Sequence, residues 1–135
     1  MKIELHNNSQ KVLSMPEIMA ALEVKKTIII RVNPDAVLFL NTFSANVLQQ
    51  NIVENFNENN RSKMLKKFAL YAMYNQTIQL LIKIAQKKPK TDIAIRMPYA
   101  DAHELLYCLS SIPCTLGPYE TTLKNDIIYK IDTKL

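Results

Sequence analysis

Apolar and polar positions alternate along this chain with two different periods. Residues 2–6, KIELH, alternate at period two and predict a strand; NNSQ at 7–10 is a turn, and KVLSM at 11–15 predicts a returning strand. Ser14, Pro16 and Glu17 form a helix-start pattern, with a short helix expected over 16–24. TIIIRV at 27–32 is β-branched and almost wholly apolar, the pattern of a strand buried on both faces. Asn33-Pro34-Asp35 then opens a helix. Ala36, Leu40, Phe43, Val47, Leu48, Ile52 and Phe56 recur along one face, so one amphipathic helix is expected over 34–57, with a possible break at 42–44.

NENNR at 57–61 is a turn, and a second long helix is predicted over 62–87. Met64, Leu65, Phe68, Tyr71, Ala72, Ile78, Leu81, Ile82 and Ala85 define its apolar side. Leu70, Met73, Tyr74, Leu80 and Ile84 widen that side beyond what one packing layer covers. These five are therefore the expected interface with another subunit. QKKPK at 86–90 ends the helix, with lysines at the negative end of its dipole. TDIAIRM at 91–97 predicts a second arginine-bearing strand, the following segment to about 111 a helix, and DIIYKI at 126–131 a last strand. The sum is a single α+β domain over 1–135. Four to six short strands form a mixed sheet, with about four helices mostly on one face, two of them long (34–57 and 62–87).

Two stretches repeat a theme. IIIRVNPDAV (28–37) and IAIRMPYADA (93–102) each run from an apolar strand through an arginine to a proline and a helix start. If the strands are parallel neighbours, Arg31, Arg96 and both helix N-termini emerge at one sheet edge and make a phosphate or carboxylate site. The competing reading is structural: Arg31 pairs with Asp35, and Arg96 with Asp101 or Glu104.

Composition narrows the chemistry. One glycine, Gly117, rules out GxGxxG, GxxxxGK[ST] and GxSxG, and with them the glycine-dependent forms of nucleotide binding and hydrolysis. HELLY at 103–107 lacks the second histidine of a zinc helix, because Tyr107 stands in its place. His103, Cys108 and Cys114 lack the paired spacing of a metal site. His103 and Cys108 diverge by about 140° around a helix, which is unsuited to nucleophilic catalysis. No catalytic residue, metal or cofactor is assigned. Two cysteines do not make a disulfide scaffold, the N-terminus lacks a leader pattern, and no apolar run spans a membrane, so a cytoplasmic location is expected.

The net charge is +5, nearly all of it from lysine. Usage rich in Lys, Asn and Ile is what an AT-rich genome gives, as in low-GC bacteria and their phages. Two lysine groups flank the second long helix: Arg61, Lys63, Lys66 and Lys67 at its start, where cations oppose the dipole, and Lys87, Lys88 and Lys90 at its end. They supply the alternative reading, a basic nucleic-acid-binding domain. The leading expectation is a small non-enzymatic protein acting by protein–protein contact, as a homo-oligomer. An enzyme acting on a small anion at Arg31 and Arg96 is the least favoured reading.

Overall fold

In the computed structural model, residues 2–3, 13–18, 27–88 and 92–135 are described. The α+β class holds, but the expected sheet of four to six strands does not. Among the described residues, β1 (Lys2–Ile3) and β2 (Leu13–Ser14) form a two-residue antiparallel ladder. The main sheet is only β3 (Thr27–Val32) and β4 (Ile93–Pro98), also antiparallel, with Ile30 opposite Ile95. Between them run α1 (Pro34–Gln49), a 3-10 turn (Ile52–Asn55) and α2 (Asn60–Lys87). After β4 come α3 (Tyr99–Ser111) and α4 (Pro118–Asp132). One helical turn at 15–18 carries the anticipated start: Ser14 Oγ accepts from the Glu17 N–H and donates to its carboxylate. Residues 19–24 of the predicted first helix lie outside the described residues.

Two strands suffice because side chains close both edges. Gln76 of α2 donates Nε2–H to the Arg96 carbonyl (2.6 Å) and accepts from the Arg96 N–H (2.8 Å), standing where a third strand would pair. On the other edge the Lys130 ammonium donates to the Arg31 carbonyl (2.7 Å). Such caps satisfy backbone groups that would otherwise invite another strand. β3 is also not buried on both faces. Ile28, Ile30 and Val32 enter the core, while Thr27, Ile29 and Arg31 are exposed. The apolar run was continuous, but its burial has period two.

The expected last strand at 126–131 is the second half of α4. Leu123, Ile127 and Ile131 are buried four residues apart, a helical spacing that a six-residue window cannot separate from a strand. The helix expected over 34–57 has no break at 42–44 and ends at Gln49. Asn51 there adopts a left-handed conformation (φ 53°), and the chain tightens into the 3-10 turn. Lys88 closes α2 the same way (φ 45°), so two non-glycine residues do what glycine usually does at helix ends. The N-caps of α1 and α2 are asparagines: Asn33 Oδ1 accepts from the Ala36 N–H and Asn59 Oδ1 from the Ser62 N–H, both at 2.8 Å.

The core lies where α1, α3 and α4 meet the inner sheet face. Ile30, Val37, Leu40, Ile95, Leu105, Leu109, Ile127 and Ile131 are fully buried. Each contributes roughly 1.5–3 kcal/mol of burial relative to exposure. α2 lies along α1, and the contact is fixed by a hydrogen bond from Asn41 Nδ2 to the buried Thr77 Oγ1 (3.2 Å).

Candidate interaction surface

α2 is apolar around most of its circumference, and the structure decides which side is inside. Leu70 and Met73 are fully buried, with Lys66, Ala69 and Thr77 beside them; Leu80 and Ile84 pack partly buried against the same core, and Tyr74 is half-buried. The expected interface of Leu70, Met73, Tyr74, Leu80 and Ile84 is thus mostly the inner face of the helix. The outward face carries Met64 (52% exposed), Leu65 (47%), Phe68 (60%) and Tyr71 (54%), with exposed Ala72 completing two turns. The inner and outer rows lie about 160° apart at 100° per residue. Hydrophobicity alone inverts the helix, because large side chains look like core. The overlooked signal was Ala69 and Thr77 flanking Met73 at four-residue steps, since small side chains let α1 approach closely.

The basic start of α2 does not form a free cationic patch. The Lys66 ammonium is buried, 2.8 Å from the Glu58 carboxylate, 3.0 Å from that of Glu104 and 3.2 Å from Ser62 Oγ, and 4.7 Å over the Tyr107 ring. Burial alone would depress it; hydrogen bonds and charge from Glu58 and Glu104 outweigh that and hold it above its ordinary value. The same contact with Lys66, helped by Ser62, holds the Glu58 carboxyl below its usual range. Lys67 pairs with the Glu54 carboxylate, and the Lys63 ammonium donates to the Glu54 carbonyl (2.9 Å). Lys66 is therefore offset by Glu58 and Glu104 and Lys67 by Glu54, while Lys63 is tied to a backbone carbonyl. The nucleic-acid set loses Lys66 outright. Lys87 and Lys88 stay exposed, and Lys90 lies outside the described residues.

Arg31 and Arg96 do not emerge with two helix starts at one edge, because the strands are antiparallel and α1 and α3 begin at opposite ends of the sheet. They do share its outer face: Arg31 stands opposite Ala94, and Arg96 opposite Ile29, which makes the arginines diagonal neighbours. The structural pairs expected for them are not formed either. Asp35 accepts from the Tyr119 hydroxyl (2.5 Å), Glu104 is held by Lys66, and no ion pair joins Arg96 to Asp101 among the described residues.

A cleft of about 690 Å³ runs along α1, walled by residues 112–116 and the start of α4, and was not foreseen. Phe39, Phe43, Val47, Ile112 and Leu116 give it an apolar lining, while exposed Leu38, Thr42 and Asn46 open it to solvent. Among the described residues its charged lining residues are both acids, Asp35 and Glu120, at the N-termini of α1 and α4, where the helix dipoles favour negative charge. The Tyr119–Asp35 hydrogen bond closes that end and raises the tyrosine's pKa. The signal in sequence was Leu38 and Phe39, which flank the core row of α1 without belonging to it.

Cysteine chemistry is weak here. Cys108 is fully buried and its thiol is pushed up to about 12 by burial. Cys114 is half-buried in the cleft wall. His103 is exposed, edge-on to the Tyr99 ring at 4.7 Å. Among the described residues no cluster of three or more His, Cys, Asp or Glu could hold a metal, and no helix is long and apolar enough to cross a membrane. Compared with known proteins, the chain matches no family model, no curated protein and no solved structure.

Proposed function

We propose that this is a non-enzymatic protein that acts by protein–protein contact and self-associates through the outer face of α2. One observation carries the reading: Met64, Leu65, Phe68 and Tyr71 form a contiguous apolar stripe, each close to half exposed or more, on two consecutive turns of a well-anchored helix. Single exposed hydrophobic residues are ordinary, but a contiguous row of large ones marks an interface. Aromatic residues and methionine are the side chains enriched in the buried centres of such contacts. The free thiols Cys108 and Cys114 suit a reducing compartment, in keeping with action in the cytoplasm.

The test is cross-linking by position. A photoreactive amino acid replacing Tyr71 should give chain-to-chain products at micromolar concentration. The same group replacing Tyr129, the most exposed large hydrophobic residue among the described ones and one carried by α4, should not. Equal cross-linking from both positions, or none from position 71, overturns the proposal.

A further inference from the structure

The self-association proposed above leaves open what the α2 stripe meets on the second copy. We infer that it meets the cleft along α1, so that copies join head to tail. This inference rests on that proposal and adds the partner surface to it.

The stripe has the spacing of a helix that lies in a groove: Met64, Phe68 and Tyr71 stand at i, i+4 and i+7, with Leu65 beside them. From Arg61 to Tyr71 it extends about 15 Å. The cleft follows α1 from Asp35 to beyond Asn46, about 17 Å, and offers an apolar lining that the described residues leave open. The stripe of a copy faces away from that copy's own cleft. On α1 the cleft residues Asp35, Leu38, Thr42 and Asn46 lie on a different side from Asn41, which contacts α2.

Charge decides between the two possible self-contacts. The chain carries +5, so copies repel unless their contacting patches are complementary. Packing stripe against stripe would face two copies of α2, a helix that carries exposed Arg61 and Lys83 and no acid, so Arg61 would meet no carboxylate of the second helix. Laying the stripe in the cleft instead sets Arg61, at the N-terminal end of the stripe, against Asp35 and Glu120, the only charged lining residues of the cleft among the described residues. Each copy then offers one stripe and one cleft. The contact is heterologous, and association proceeds to rings or open chains rather than stopping at a two-fold dimer.

Two variants at exposed positions separate the halves of this contact. Phe68→Asp spoils the stripe and keeps the cleft; Leu38→Asp spoils the cleft and keeps the stripe. Each alone should be monomeric. Mixed in equal amounts they should form a 1:1 heterodimer by light scattering, with no larger species, because only one intact stripe–cleft contact remains. Arg61→Glu should weaken association of the wild-type chain, and adding Glu120→Lys to it should restore association. If Leu38→Asp self-associates as the wild type does, or the mixture stays monomeric while the wild type associates, the head-to-tail contact is wrong and self-association stands. A wild-type chain that is monomeric at high micromolar concentration overturns both.

Discussion

Replacing Lys66 by methionine tests whether the buried ion cluster holds α2 to α3. Its side chain is 5% exposed, and the ammonium sits between the Glu58 and Glu104 carboxylates, whose side chains are 20% and 23% exposed. Methionine fills similar volume but leaves two carboxylates facing one another. Each lies within 3.0 Å of the lost nitrogen, so they are about 5 Å apart. At an effective dielectric of about 20, their repulsion is 332/(20 × 5), about 3 kcal/mol. Removing one partner from a buried pair typically costs about 3–5 kcal/mol, and water reaching the two acids reduces this here. The expected loss is about 2–4 kcal/mol, or a fall in melting temperature of about 10 °C for a chain of this size.

Urea unfolding followed by circular dichroism measures it. The triple variant Lys66→Met/Glu58→Gln/Glu104→Gln should recover most of the loss, because no uncompensated charge remains. The pH dependence should invert as well. In the wild type Glu58 has a lowered pKa, so its contribution is present above the unfolded value of about 4.5 and is lost as pH falls through the folded value. In Lys66→Met the Glu58 carboxylate loses its cation and faces a second carboxylate, so protonation relieves the repulsion and the variant gains stability as pH falls through the same region. A Lys66→Met protein within about 0.5 kcal/mol of wild type at neutral pH would refute the reasoning.

Other outcomes follow from single side chains. Cys108 should resist alkylation in the native state while Cys114 reacts, since one thiol is fully buried and pushed up to about 12 and the other lines an open cleft; equal rapid labelling would show α3 is misplaced. Ser44 Oγ is buried on α1 with no hydrogen-bond partner, so Ser44→Ala should stabilise the fold by about 1 kcal/mol in chemical denaturation; a loss of that size would reveal a missed partner. Arg31→Gln and Arg96→Gln should each leave stability within about 0.5 kcal/mol, because neither guanidinium is paired with the acids that could hold it; a larger loss in thermal melts would restore the structural reading of the arginines.

Local signals were legible in the sequence where they are chemically specific. Asn33 before Pro34, and Ser14 with Glu17, announced helix starts that the backbone makes. The β-branched run at 27–32 announced β3. What failed depended on context outside each segment. Gln76 and Lys130 replace neighbouring strands at the sheet edges from 20 and 99 residues away, and no local pattern announces that a side chain will cap an edge. The 126–131 segment was too short to separate period two from period 3.6 without Leu123. On α2, hydrophobicity alone could not orient a helix apolar on nearly every side, and a buried lysine runs against the usual rule. Lys66 points inward only because Glu58 and Glu104 meet it there. The cleft lies between α1, the 112–116 segment and α4, elements far apart in sequence, so its existence waited on the fold.

The central claim is that the outer stripe of α2 is an association surface. Sedimentation velocity of the wild type and of Phe68→Asp, side by side at high micromolar concentration, tests it most directly. The wild type should sediment as an oligomer whose mass grows with concentration, and Phe68→Asp as a folded monomer. A monomeric wild type, or a Phe68→Asp variant that associates equally well, would contradict the claim.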